Sequence, residues 1–99
     1  MTEAIGITSF RLARGTCGEF ITANADIDAW LMRQPGFRSR RICERGDGVI
    51  IDMLVWASVA DGEAAAGGIM TELVDSPVHD LIDQATVSWT VSPVWHAVR

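Results

Sequence analysis

The run from Val49 to Ala57 is apolar throughout except for Asp52. Side chains of a β-strand alternate between its two faces. Val49, Ile51, Met53 and Val55 fall on one parity; Ile50, Leu54 and Trp56 fall on the other. A strand with this pattern has no face to show to water and must be covered on both sides. Crossing a bilayer as a helix takes about 20 apolar residues, which the run does not reach. Gly46, Asp47 and Gly48 in front of it predict a tight turn, with glycine supplying the positive φ that hairpin turns require. Phe37–Arg45 before the turn is then its antiparallel partner.

The rest of the chain falls into place around this hairpin. Residues 3–13 predict a first strand, apolar on both parities through Ile5 and Ile7, and Phe10 and Leu12. Thr16 and Glu19 form a capping box at a helix start. Phe20, Ala23, Ile27, Trp30 and Leu31 follow at helical spacing, and Pro35-Gly36 ends that helix. Ser58 caps a second helix, with Asp61 in its first turn and Ala65, Ile69 and Leu73 as its apolar stripe. Within it, Gly67 and Gly68 cost about 2 kcal/mol relative to alanine, which close packing on a neighbour would offset. Ser76-Pro77 opens a short third helix with Val78, Leu81, Ile82 and Ala85 facing inward. From Thr86 the chain alternates strictly, with Val87, Trp89 and Val91 against Thr86, Ser88, Thr90 and Ser92, as far as Pro93. Proline at that point fits an edge strand.

The order βαββαβ, with one small extra helix, predicts an α+β fold of ferredoxin-like type. Its four-stranded antiparallel sheet has the order 4-1-3-2, with strands 1 and 3 central. Residues 1–99 form one domain. Two helices cover only one face of such a sheet. The other face carries half of the apolar residues counted above, a larger patch than monomers usually expose. A two-fold homodimer, sheet on sheet, would cover it.

Charge narrows the partners. The net charge is −5, and all eight basic residues are arginines. Residues 1–45 carry +2 and residues 46–99 carry −7. An acidic chain whose longest basic run is Arg40-Arg41 is not a nucleic-acid binder, and nothing in it calls for a membrane. Arg38, Arg40, Arg41 and Arg45 lie on the predicted edge strand 2, where charge discourages unwanted strand pairing. Cys17 and Cys43 make neither a disulfide framework nor a metal-ligand spacing, and are expected as small apolar residues of a reducing compartment. The first residues lack a secretion-signal pattern, so a cytoplasmic protein is expected.

Two segments carry a family resemblance. Gln34-Pro35-Gly36-Phe37-Arg38-Ser39-Arg40-Arg41, followed by Asp52-Met53-Leu54-Val55-Trp56-Ala57-Ser58 leading into an alanine-rich helix, resembles the antibiotic-biosynthesis-monooxygenase-like group of the dimeric α/β-barrel superfamily. The resemblance covers residues 5–97. It implies a barrel-forming homodimer with a ligand cleft between helices and sheet in each subunit. Members of the group include cofactor-independent oxygenases of aromatic polyketides, haem-degrading enzymes and isomerases. The haem-degrading branch uses an Asn on strand 1, a Trp in helix 2 and a His in the short helix after it. Those positions fall here near Thr8 or Ser9, Glu72 and Ile82, and none matches. The chain also has no tyrosine, which some oxygenase members use as a phenolic donor.

Candidate catalytic residues are His79 and Asp52. His79, in the first turn of the short helix with Asp83 four residues on, reads either as a general base oriented by that carboxylate or as an exposed ion pair. Asp52, alone in an apolar strand, reads as a tuned acid in a cleft or as one half of a buried pair with Arg40, Arg41 or an arginine of a partner chain. Trp56, Phe10 and Trp30 are candidate ligand-binding residues, since aromatic walls suit planar ligands. Trp30 and Trp89 fit core or interface packing, while Trp56 at the end of strand 3 has the better claim to line a pocket. His79 and His96 are too far apart for a metal pair, so no metal is expected, and no cofactor. Two functions follow. One is a cofactor-independent monooxygenase acting on a small aromatic or enolisable metabolite. The other is a non-catalytic homodimeric barrel that binds a small apolar ligand or serves a structural role. An open apolar pocket touching His79, Trp56 or Asp52 favours the first; a cleft filled by Phe10, Trp30 and Met70 favours the second.

Overall fold

A computed structural model describes residues 2–98. The chain runs β1 (Ala4–Phe10), α1 (Cys17–Ala23), α2 (Ala25–Leu31), β2 (Phe37–Glu44), β3 (Ile50–Trp56), α3 (Val59–Glu72), α4 (Val78–Leu81), a 3₁₀ turn (Gln84–Thr86) and β4 (Ser88–Pro93). The strands form one antiparallel sheet of order β2-β3-β1-β4. This is the predicted ferredoxin-like α+β order, with β1 and β3 central and β2 and β4 at the edges.

Register assigns each parity to a face. Ala4 pairs with Trp56, Thr8 with Asp52 and Phe10 with Ile50, and Thr8 pairs with Trp89 on the other side. Ala4, Phe10, Ile50 and Trp56 belong to the buried core with Phe20, Ile27, Leu31, Ala65 and Val78, so this parity faces the helices. The opposite parity, Ile5, Ile7, Ile51, Met53 and Val55, is only partly buried or exposed, and no helix covers it.

The capping logic holds. Thr16 accepts the Glu19 amide and Glu19 accepts the Thr16 amide. Ser58 accepts the Asp61 amide at the start of α3. Gly48 (φ +87°) closes the β2–β3 turn, where the Gly48 amide donates to the Arg45 carbonyl at 2.9 Å.

Three local expectations change. The first predicted helix is broken at Asn24, whose φ of −85° and ψ of 3° lie outside helical values. Its side-chain amide donates to the Phe20 carbonyl at 2.7 Å, a local bond that competes with the helical ladder. The last strand begins at Ser88 rather than Thr86. Asp83 accepts the Ala85 amide, and the Thr86 hydroxyl donates to the Asp83 carbonyl while accepting from the Arg11 amide. These bonds wind residues 84–86 into a 3₁₀ turn. Of the two interior glycines, only Gly68 meets a neighbour: a Cβ there would lie 2.6 Å from the Trp30 ring, whereas Gly67 faces open space.

Candidate functional site

The helix layer and the sheet do not close completely on each other. Between them lies a cavity of about 590 Å³, within the usual range of roughly 300–1,000 Å³ for small-ligand sites. Its floor is the helix-facing parity of the sheet: Gly6, Thr8 and Phe10 from β1, Asp52, Leu54 and Trp56 from β3, and Trp89 and Val91 from β4. Successive residues on one face are about 7 Å apart, so the floor runs in rows from Trp56 at one end to Phe10 at the other. Ile27 and Leu31 of α2, α3 from Gly62 to Met70, and Val78 and His79 of α4 supply the walls and roof. The Phe10 and Phe20 rings meet edge to face at 5.2 Å and close one end.

Four of the five candidate residues line this cavity: His79, Asp52, Trp56 and Phe10. Trp30 does not. Helical rotation carries it away from Ile27 and Leu31, towards α3, where Gly68 admits its ring. It borders a separate hollow of about 90 Å³. Met70 is 65 % exposed and sits at the cavity rim rather than inside it. The cleft is therefore open and not filled by Phe10, Trp30 and Met70.

Asp52 is 7 % exposed and is held by Arg40. Arg40 Nε donates to Oδ1 at 3.1 Å and Nη2 to Oδ2 at 2.7 Å, a two-point pairing of guanidinium and carboxylate. The same guanidinium donates to Asn24 Oδ1 at 2.8 Å and to Asp28 Oδ1 at 2.7 Å. Burial pulls the Arg40 pKa down, but the hydrogen bonds and charges of Asp52 and Asp28 outweigh it and leave the pKa raised. Arg40 thus ties an edge strand to a central strand, to the break at Asn24 and to α2. Of the two arginines the sequence offered, Arg40 makes the pair; the Arg41 side chain donates to the Arg40 carbonyl.

His79 is oriented by a different partner from the one expected. α4 ends at Leu81 and Ile82 is extended (ψ 130°), so Asp83 is not on the same helical face as His79 and caps the 3₁₀ turn instead. The His79 Nε2 atom lies 2.9 Å from the Leu73 carbonyl at the end of α3. A carbonyl only accepts, so Nε2 carries the proton and Nδ1 is the basic nitrogen. The chemistry on offer is an imidazole held through Nε2 by the Leu73 carbonyl, beside an apolar cavity with an arginine-paired carboxylate in its floor.

Asn24, Gly62 and Gly6 also shape the site, and the sequence reading passed over them. Asn24 is 1 % exposed. Its signal was its position: with Phe20, Ile27 and Leu31 it falls on the buried stripe, where a polar residue needs a partner. Among the described residues no three metal-ligating side chains gather, and no helix is long and apolar enough to cross a membrane.

No family model and no curated protein matches the chain. Solved structures do. SnoaB from Streptomyces nogalater, a cofactor-independent oxygenase, superposes with a TM-score of 0.76 at 18 % identity over 99 % of this chain and 98 % of its own. A monooxygenase from Streptomyces coelicolor in complex with nanaomycin D gives 0.74 at 14 % identity, over 99 % of this chain and 92 % of its own. A protein from Bordetella bronchiseptica assigned to the antibiotic biosynthesis monooxygenases gives 0.77 at 12 % identity, over 93 % and 96 %. The chain therefore has the ferredoxin-like fold of the antibiotic-biosynthesis-monooxygenase-like group that its sequence resembles.

Proposed function

We propose that this protein is a cofactor-independent monooxygenase acting on a small, enolisable aromatic metabolite, one cavity per subunit of a homodimer. The observation that carries this reading is the open, largely apolar cavity that His79, Asp52 and Trp56 line together. Dioxygen reacts directly only with an electron-rich partner such as an enolate, so the protein's tasks are to make that carbanion and to keep water away. His79 Nδ1 takes the acidic C–H proton of the bound substrate. The enolate passes an electron to dioxygen, and the radical pair combines to a peroxide. Loss of water leaves a ketone: a CH₂ group and O₂ become a C=O group and H₂O. The carbon gives up four electrons and dioxygen takes four.

The uncovered parity supports the dimer. Ile5, Ile7, Ile51, Met53 and Val55 form an apolar band across the two central strands, with Ile7 40 % exposed. A second copy related by a two-fold axis covers the band with its own.

The test is oxygen uptake with an anthrone. The protein should consume dioxygen above the buffer blank, forming one anthraquinone per dioxygen, and His79→Gln should fall to the blank. A folded wild type that never exceeds the blank with any enolisable tricycle contradicts the reading and favours a purely binding role.

A further inference from the structure

Helix α3 meets the edge strand β4 along a seam, and the seam is shut at one end only. β3 and β4 both run antiparallel to β1, so α3, which joins them, runs back against β4. Gly62, Ala66 and Met70 recur every four residues, so they follow one another along one side of α3, and all three line the cavity. Val91, Trp89 and Val87 follow one another along the helix-facing parity of β4 and its approach, and line it too. Four helical residues advance about 6 Å and two strand residues about 7 Å, so the two rows stay nearly in step.

At Gly62 the seam is tight: a Cβ there would be 3.0 Å from Cγ2 of Val91. The next step brings Ala66 level with Trp89, and the one after brings Met70 level with Val87. Here the helix no longer covers the strand. Trp56 and Trp89 lie on the same face of the sheet, yet Trp56 is 3 % exposed and Trp89 is 46 % exposed. Val87 and Met70 are exposed as well. Alanine at 66 extends a single carbon from the helix, which leaves the Trp89 ring uncovered. On its other flank α3 is seated against α2, where Gly68 takes the Trp30 ring. The Phe10 and Phe20 rings shut one end of the cavity.

We propose that the open half of this seam is the doorway through which the ligand reaches the cavity, and that Ala66, level with Trp89 across it, sets the breadth of ring system it passes. A slot between a helix and a strand admits a flat molecule edge first. Trp89 gives that molecule an aromatic sill to slide on. Met70, unbranched and flexible, swings over the gap behind it. Ala66 is thus a specificity-determining residue that acts on entry and exit. The proposal rests on the reading of the cavity as a site for small aromatic molecules.

The test times the binding of 2-naphthol and of the broader 1-hydroxypyrene by stopped flow, followed by each probe's own fluorescence. Ala66→Phe fills the seam against Trp89. It should slow both association and dissociation of 1-hydroxypyrene by about tenfold or more, as for binding that waits on a conformational change. 2-Naphthol should be slowed far less, and its dissociation constant should stay at the wild-type value. A side chain that merely supports the fold would move the dissociation constants and not the two rates together. Should Ala66→Phe not fold, Met70→Trp decides, since it adds bulk at an exposed position of the same seam; it should slow 1-hydroxypyrene likewise. Met70→Ala should quicken the association of both probes. Wild-type rates for 1-hydroxypyrene in Ala66→Phe, or in Met70→Trp if that variant decides, overturn the doorway and leave the aromatic site standing. Binding of neither probe by the wild type overturns the cavity reading and the proposal with it.

Discussion

Replacing Arg40 by methionine isolates the charge network under the cavity. The Arg40 and Asp52 side chains are each 11 % exposed, and Arg40 makes four hydrogen bonds to Asp52, Asn24 and Asp28. Methionine keeps an unbranched apolar stem but leaves the Asp52 carboxylate and Asn24 Oδ1 without the Arg40 donors. Breaking a buried pair from one side costs about 3–5 kcal/mol, a large share of the roughly 5–15 kcal/mol that keeps a domain folded. Asp28 is 54 % exposed, so Asp28→Asn should cost under about 1 kcal/mol. The double variant Arg40→Met/Asp52→Leu removes both charges and should recover most of the loss. The assay is equilibrium unfolding in urea at one fixed protomer concentration, because the stability of the proposed dimer depends on concentration. If Arg40→Met costs less than Asp28→Asn, or the double variant is as unstable as the single, the network does not hold Asp52.

Other outcomes follow from single contacts. His79→Ala removes the donor to the Leu73 carbonyl and should lower stability by about 1 kcal/mol; calorimetry of the variant measures it. Gly67→Ala should raise stability by up to about 1 kcal/mol through helix propensity, while Gly68→Ala, whose Cβ meets the Trp30 ring at 2.6 Å, should lower it in the same thermal melts. The Asp47 pKa is lowered by the hydrogen bond from Arg45 and by the Val49 amide. Its stabilisation is present above the ordinary value of 3.8 and is lost as pH falls through the folded value. Asp47→Asn should therefore melt below wild type at pH 6, and the gap should close in acid. Ile7→Asp puts a charge in the uncovered apolar band, and light scattering should report a dimer for the wild type and one-chain mass for the variant.

The fold was legible because its signals are local. The two-sided apolar run of β3, the capping residues Thr16 and Ser58, and the Gly48 turn each declare themselves within a few residues. What the sequence hid depends on distant pairs. Asn24 breaks a helix whose spacing reads as continuous; its side-chain amide turns back on Phe20 while its oxygen accepts from Arg40, sixteen residues on. His79 has Asp83 at helical spacing, yet α4 is too short to use it and Leu73 takes its place. Asp52 declared its need for a partner by interrupting an apolar strand, and Arg40 was one of two arginines able to meet it. Trp56 was readable as a cavity wall, but the close approach of Gly62 to its ring was not, since that joins two different elements.

The central claim is that His79 takes a proton from carbon inside this cavity. Exchange of the anthrone methylene protons for deuterium in oxygen-free D₂O tests that step without oxygen chemistry, followed by loss of the methylene signal in proton NMR. The wild type should accelerate exchange by about 100-fold or more over buffer, the range for a positioned base, and His79→Gln should not. Exchange at the buffer rate with anthrone demonstrably bound, or equal acceleration by His79→Gln, would contradict the account.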